Sequence, residues 1–155
     1  MVPTLILRDP KISKKDIVMQ ESLPICEFLE EVYPDRRSLI PKDPIQRHQM
    51  RRLCEIINSN TQPIQNLSIL NEVGNRFGAE HKMPWGRWAV SRGLGFFDGA
   101  IATTKGKYCM GDTITLADVF LVSQLANAAR FEVDMTQYPN ITAVTTNLKD
   151  IPEFK

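Results

Sequence analysis

The amino-acid sequence predicts a mostly α-helical protein in two unequal parts, a β-hairpin with one helix followed by an all-helical region. Three observations carry this. Two short strand-like runs, Thr4-Leu5-Ile6-Leu7 and Asp16-Ile17-Val18-Met19, flank a polar turn. Apolar residues recur at helical spacing from Leu23 to Leu148. Between residues 34 and 42 two prolines and three cations interrupt that spacing and read as a linker. The expected parts are therefore residues 1–36 and 43–155.

The elements follow in chain order. Asp9-Pro10 and a Lys/Ser-rich stretch make the hairpin turn. Leu23, Ile25, Cys26, Phe28, Leu29 and Val32 then mark one face of a helix, with Ser22 as its N-cap and Pro24 in its first turn. Tyr33-Pro34 ends it. Two strands and one helix cannot close a core of their own. Asp43-Pro44-Ile45-Gln46 opens the helical part with an acid cap, a proline at the first position and a glutamine at the third, and its helix runs to about Ser59. A second helix is expected from Gln62 to Val73, closed by Gly74. Pro84 opens a third, reaching about Thr103 before Lys105-Gly106. A fourth starts at Ile114-Thr115 and reaches about Ala129, and a short fifth fits residues 140–149.

Composition excludes several classes of function. The 155 residues are 43% hydrophobic and 24% charged, enough to bury a core and too apolar for disorder. Lys and Arg number 19 against 18 for Asp and Glu. A net charge of +1 leaves no field of free cations to grip a nucleic-acid backbone. No apolar run approaches the ~20 residues of a membrane span, and the first residues lack the pattern of a secretion signal, so the expected location is the cytoplasm. Cys26, Cys54 and Cys109 are odd in number and widely spaced, which excludes a disulfide framework or a zinc knuckle. His48 and His81 are too far apart for a helical metal face, and His48 sits among polar neighbours. No metal is expected.

Four local patterns invite a functional reading. Gly93-Leu94-Gly95-Phe96-Phe97-Asp98-Gly99 superficially matches a dinucleotide fingerprint, but its last glycine is misplaced and no strand precedes it. Close helix packing is the better account. Trp85, Trp88 and Phe96 form a stripe that suits a core or an interface rather than a ligand cage. In Ile114-Thr115-x-x-Asp118-Val119, Thr115 and Asp118 can each bind the other's backbone amide while Ile114 and Val119 staple the cap, a structural helix start. Glu21-Ser22 is different. A helix beginning there presents amides to an anion, and an acid beside it can pair with an amine, which suits an amino-acid-like head group.

Together these pieces resemble a glutathione transferase. Val2-Pro3-Thr4-Leu5, then Glu21-Ser22 opening a helix that ends in Glu30-Glu31-x-Tyr33-Pro34, is similar to the second half of that family's thioredoxin-like domain. Gln62-Pro63-Ile64-Gln65-Asn66-Leu67-Ser68, Tyr108-Cys109-Met110-Gly111-Asp112, Thr115-Leu116-Ala117-Asp118 and Ala126-Asn127-Ala128-x-Arg130-Phe131 resemble the zeta class, the maleylacetoacetate isomerases. The resemblance spans nearly the whole chain in order. It implies a partial thioredoxin-like hairpin and helix followed by the all-α C-terminal domain of a transferase.

The resemblance also implies roles. Pro3 would be a cis-proline that presents the Val2 backbone to the cysteinyl part of glutathione, with Glu21 and Ser22 on its γ-glutamyl head. Zeta relatives usually carry Gln-Ser there, so Glu21 is a departure. Gln62, Asn66, Leu67 and Ser68 would contact glutathione from the helical part, and Arg130 would meet a small dicarboxylate ketoacid substrate; otherwise Arg130 is a cation complementing a helix C-terminus. The implied activity is glutathione-dependent cis-trans isomerisation in tyrosine and phenylalanine catabolism, with transferase activity, by a homodimer. The family's Ser-Ser-Cys motif, which activates the thiol, is absent from these 155 residues, so no catalytic residue is assigned and the chain alone is expected to be weak or inactive. The stretch around Asp9 to Lys15 is longer than in typical relatives. The alternatives are a non-catalytic interaction or dimerisation module and a conventional conjugating transferase.

Overall fold

A computed structural model describes residues 3–154. The backbone divides into two compact units, Met1–Ile40 and Pro41–Lys155.

In the first unit, β1 (Thr4–Leu7) and β2 (Ile17–Gln20) pair antiparallel, Thr4 opposite Gln20 and Leu7 opposite Ile17. Asp9 organises the turn between them by accepting the Lys11 amide at 2.9 Å. Helix α1 (Ser22–Val32) follows β2 after a single residue. That tight turn corrects one expectation. Ser22 is the first helical residue, and Glu21 is the N-cap, with φ 73°, ψ 125° and no side-chain cap bond. Its carbonyl accepts the Ile25 amide at 3.1 Å, the first bond of the helix. Leaving β2 and entering α1 within one residue forces that residue into the left-handed region, and here it is a glutamate. Glu30 then accepts from the Ser38 hydroxyl at 2.6 Å and the Leu39 amide at 2.9 Å, which ties the start of the linker to this unit.

The second unit is a helical bundle. Its first helix, α2 (Pro44–Asn58), starts where Asp43 accepts the Gln46 amide at 2.8 Å, and Arg47 holds the Pro41 and Lys42 carbonyls at 3.0 and 2.8 Å. The single helix expected over Gln62–Val73 is two: α3 (Gln62–Gln65) and α4 (Leu67–Phe77). Asn66 separates them. Its extended backbone (φ −60°, ψ 148°) and its side chain, which accepts the Ser68 amide at 3.1 Å, make it the N-cap of α4. Gly74 is interior to α4, where a Cβ would collide with the Lys82 side chain; the terminating glycine is Gly78, at φ 108°.

Helix α5 (Lys82–Ile101) runs through the whole glycine-rich stretch, so no phosphate-cradling loop exists there. Close packing is what Gly93 provides, since a Cβ there would strike Thr61; Gly86, earlier in the helix, likewise makes room for the Phe131 ring, whereas Gly95 and Gly99 have space for a side chain. Helices α6 (Leu116–Arg130) and α7 (Pro139–Leu148) complete the bundle. The side chains of Met50, Ile57, Leu94, Phe97, Ile101, Leu121, Phe131, Ile141 and Leu148 form its buried core. Both arms of the expected capping box are present at the start of α6. Asp118, fully buried, accepts the Thr115 amide at 2.8 Å and also the Cys109 amide at 2.9 Å, so one carboxylate fixes both the helix start and the loop before it. No helix among the described residues is long and apolar enough to cross a membrane.

Candidate functional site

The residues singled out in the sequence fall in both units. In the first, Pro3, expected from the resemblance to be a cis-proline, is exposed just ahead of β1, and Val2 lies outside the described residues. Glu21 is exposed and Ser22 half-exposed. Because Pro24 carries no N–H, the first turn of α1 offers the amides of Ser22 and Leu23, beside a carboxylate on a strained backbone. A non-glycine residue in the left-handed region carries of order 1–3 kcal/mol of strain and persists where the surroundings demand it.

In the second unit, Gln62 is half-exposed, and Asn66, Leu67 and Ser68 are exposed along the α3–α4 junction. Their backbone is held from behind. The Thr61 hydroxyl, buried, donates to the Ile56 carbonyl at 2.6 Å, and the Trp85 indole N–H donates to the Ile64 carbonyl at 3.0 Å. Gln65 is buried and exchanges two hydrogen bonds with Gln124 of α6, at 3.1 and 2.8 Å. Trp85 is thus an anchor for α3, whereas Trp88 and Phe96 are about half-exposed. Beside it Val73, Phe77, His81, Pro84, Trp85 and Trp88 line an apolar pocket of about 470 Å³.

Arg130 is the last residue of α6 and is exposed, its guanidinium 5.3 Å from the Phe131 ring. The helix end beneath it is braced by Arg87, which donates to the Phe131 carbonyl at 2.8 Å and pairs with Glu132 at 2.6 Å. Asp98 of α5 caps α7 from outside that helix, accepting the Ile141 amide and the Asn140 side chain, both at 2.8 Å.

No motif in the sequence assigns a role to Gln65, Gln124, Arg87 or Asp98. One signal was available: Gln124 falls on the buried stripe of α6 with Leu121 and Ala128, and a polar residue on such a stripe requires an internal partner. Its partner lies 59 residues away, where no local pattern points.

No described group of three His, Cys, Asp or Glu residues could hold a metal ion. All three cysteines are free thiols. Cys54 and Cys109 are fully buried; burial first and the Asp118 carboxylate second push the Cys109 thiol far up. Cys26 is half-exposed, its thiol raised by burial and by the nearby Glu30 and Glu27. A raised pKa leaves little thiolate at neutral pH. Ellman's reagent is therefore expected to titrate one thiol slowly in the native protein, at a rate that climbs with pH, and three after unfolding. Three fast thiols in the folded protein would contradict this packing.

Residues 79–155 match the glutathione S-transferase C-terminal domain family. The chain is 40% identical over 146 residues to the maleylacetoacetate isomerase of Rattus norvegicus, an alignment covering 94% of this chain and 65% of that protein. The chain thus spans a little under two thirds of that curated relative's length. Among solved structures it resembles maleylacetoacetate isomerase from Anaeromyxobacter dehalogenans 2CP-1, with bound dicarboxyethyl glutathione and citrate in the active site. The TM-score is 0.91 at 33% identity, covering 99% of this chain and 68% of that one. It also resembles maleyl pyruvate isomerase, a bacterial glutathione S-transferase of the zeta class, at TM-score 0.86 and 35% identity, covering 99% of this chain and 71% of that one.

Proposed function

The chain belongs to the zeta-class glutathione transferases, the family of the maleylacetoacetate isomerases, and on that premise we propose that it serves glutathione-dependent cis-trans isomerisation of a maleyl ketoacid. The observation that carries the proposal is the start of α1. The turn out of β2 accounts for the φ of 73°; it does not account for the residue being a glutamate, whose exposed carboxylate stands beside two helix amides. An amino-acid head group explains it: the carboxylate meets the Ser22 hydroxyl and the helix amides, and the ammonium meets Glu21. Glutathione carries such a head on its γ-glutamyl residue.

In the helical unit, the exposed Asn66, Leu67 and Ser68, with Gln62, are the proposed contacts for glutathione. Asn66 already uses its side-chain oxygen to cap α4, so its remaining donors are those free for a ligand. The chemistry supplied by bound glutathione is a thiol for reversible addition to a conjugated double bond. The substrate role falls to Arg130. Its guanidinium offers a planar fork to a carboxylate, and the Arg87 brace keeps the backbone beneath it from drifting. The bound dicarboxyethyl glutathione and citrate of the bacterial relative are ligands of the same polyanionic kind. The proposal extends to a homodimer in the cytoplasm, acting in phenylalanine and tyrosine breakdown.

Thiol activation sets the test. The family's Ser-Ser-Cys is not among these 155 residues, and loss of one donor to a developing anion typically costs ~10²–10³ in rate. A polypeptide of these residues alone is expected to isomerise maleylacetone with glutathione at least ~100-fold more slowly than a full-length relative. Its amide NMR signals at Ser22 and Ser68 are nonetheless expected to shift on glutathione addition. Turnover within tenfold of the relative would overturn the assignment of thiol activation outside these residues. An absence of any glutathione-dependent shift would favour a non-catalytic interaction module instead.

A further inference from the structure

We propose that the buried Gln65–Gln124 amide pair is a positioning device, setting the exposed Asn66-Leu67-Ser68 turn in register with the helix that ends at Arg130. The inference rests on the ligand roles just proposed for those residues. A four-residue helix such as α3 has too few internal bonds to hold itself, so its placement comes from its anchors. Two of them reach no further than the neighbouring helices α2 and α5: Thr61 to the Ile56 carbonyl, and the Ile64 carbonyl to Trp85 of α5. Gln65 alone among these anchors reaches α6.

The geometry of the pair is what makes it a register device. Each amide donates to the other, Gln65 Nε2 to Gln124 Oε1 at 3.1 Å and Gln124 Nε2 to Gln65 Oε1 at 2.8 Å. The two bonds close a ring that is satisfied at one relative position of α3 and α6 and broken by a small slide. Apolar side chains of the same volume would fill the space equally well and tolerate the slide. The exposed turn follows directly, because Asn66 is the next residue and its side chain takes both the Ser68 amide at 3.1 Å and the Ser68 hydroxyl at 3.3 Å. Six residues beyond Gln124, α6 ends at Arg130. A single buried contact therefore sits one residue from the proposed glutathione turn and on the same rigid helix as the proposed substrate cation.

The test separates position from stability. Gln65→Met or Gln124→Met alone leaves one buried amide unpaired, and each is expected to lower the melting temperature. The double Met variant removes both amides at nearly constant volume and is expected to regain most of that loss. If the pair positions the turn, the double variant nevertheless shows hydrogen exchange at the Ser68 and Leu70 amides at least tenfold faster than the parent, with α2 and α5 unchanged, and binds glutathione at least fivefold more weakly. Gln65→Asn, which keeps the polarity but shortens the reach by one carbon, is expected to give the same exchange signature in a second background. A double variant with restored melting and parental exchange at Ser68 and Leu70 would overturn the proposal. The exchange readout needs no ligand, so failure of the parent to bind glutathione would count against the ligand roles and not against the positioning.

Discussion

Asp118→Ala is expected to destabilise the helical unit by about 3–4 kcal/mol, and Thr115→Ala by about 1 kcal/mol. The difference follows from what each side chain holds. The Asp118 carboxylate, fully buried, receives the Thr115 amide, the Thr115 hydroxyl and the Cys109 amide. Hydrogen bonds to a charged group contribute roughly 1.5–3 kcal/mol each, and removing the acceptor leaves two buried amides without a partner. Thr115 loses only its own share of the cap. The double variant should then be little worse than Asp118→Ala alone, because most of what Thr115 contributes passes through Asp118. Urea unfolding of the three variants reads this directly. Strictly additive losses, or an Asp118→Ala loss no larger than that of Thr115→Ala, would mean the carboxylate is not the hub of this corner.

That corner also marks how far the sequence could be read. Thr115-x-x-Asp118 is a local pattern, and local chemistry predicts its two arms correctly. The third donor, Cys109, comes from a loop whose path depends on the whole bundle. The same division holds elsewhere. The hairpin, α2, α5, α6 and α7 were legible because their signals, alternating strands, an acid-proline cap and long apolar stripes, lie within one element. The break at Asn66 was not, since the apolar spacing continues through it and the cap depends on one extended backbone angle. Gly74 misled for a related reason: it lies inside α4, and the glycine that ends the helix comes four residues later, at Gly78. Ser22 was displaced from the cap by a turn that only the pairing of β2 imposes. The candidate site divides likewise. Its exposed residues were named from motifs, whereas Gln65, Gln124 and Arg87, which hold them in place, act across 44 to 59 residues.

Ser22→Ala is expected to abolish measurable glutathione binding, while Arg130→Ala leaves it unchanged. In the proposed arrangement the Ser22 hydroxyl is the side-chain donor to the γ-glutamyl carboxylate, next to amides that a substitution cannot remove but that alone hold an anion weakly. Arg130 is assigned to the acyl substrate, so binding of the tripeptide does not depend on it. The binding to be lost is itself weak. Glu21 and Ser22 ride on a two-stranded sheet, and such a sheet is marginal by itself in water, so part of the binding energy goes into ordering it. Glutathione is therefore expected to bind the parent at millimolar strength or weaker, a free energy of about −4 kcal/mol or less favourable. Glu21→Gln restores the residue usual in zeta relatives and keeps the polar contact to the ammonium, so its loss should be only a few-fold. Titration of glutathione into the four proteins, followed by amide NMR shifts, separates these outcomes. A Ser22→Ala protein that binds like the parent would remove the γ-glutamyl role from the start of α1. Loss of binding in Arg130→Ala would place glutathione against α6 and reassign the substrate cation.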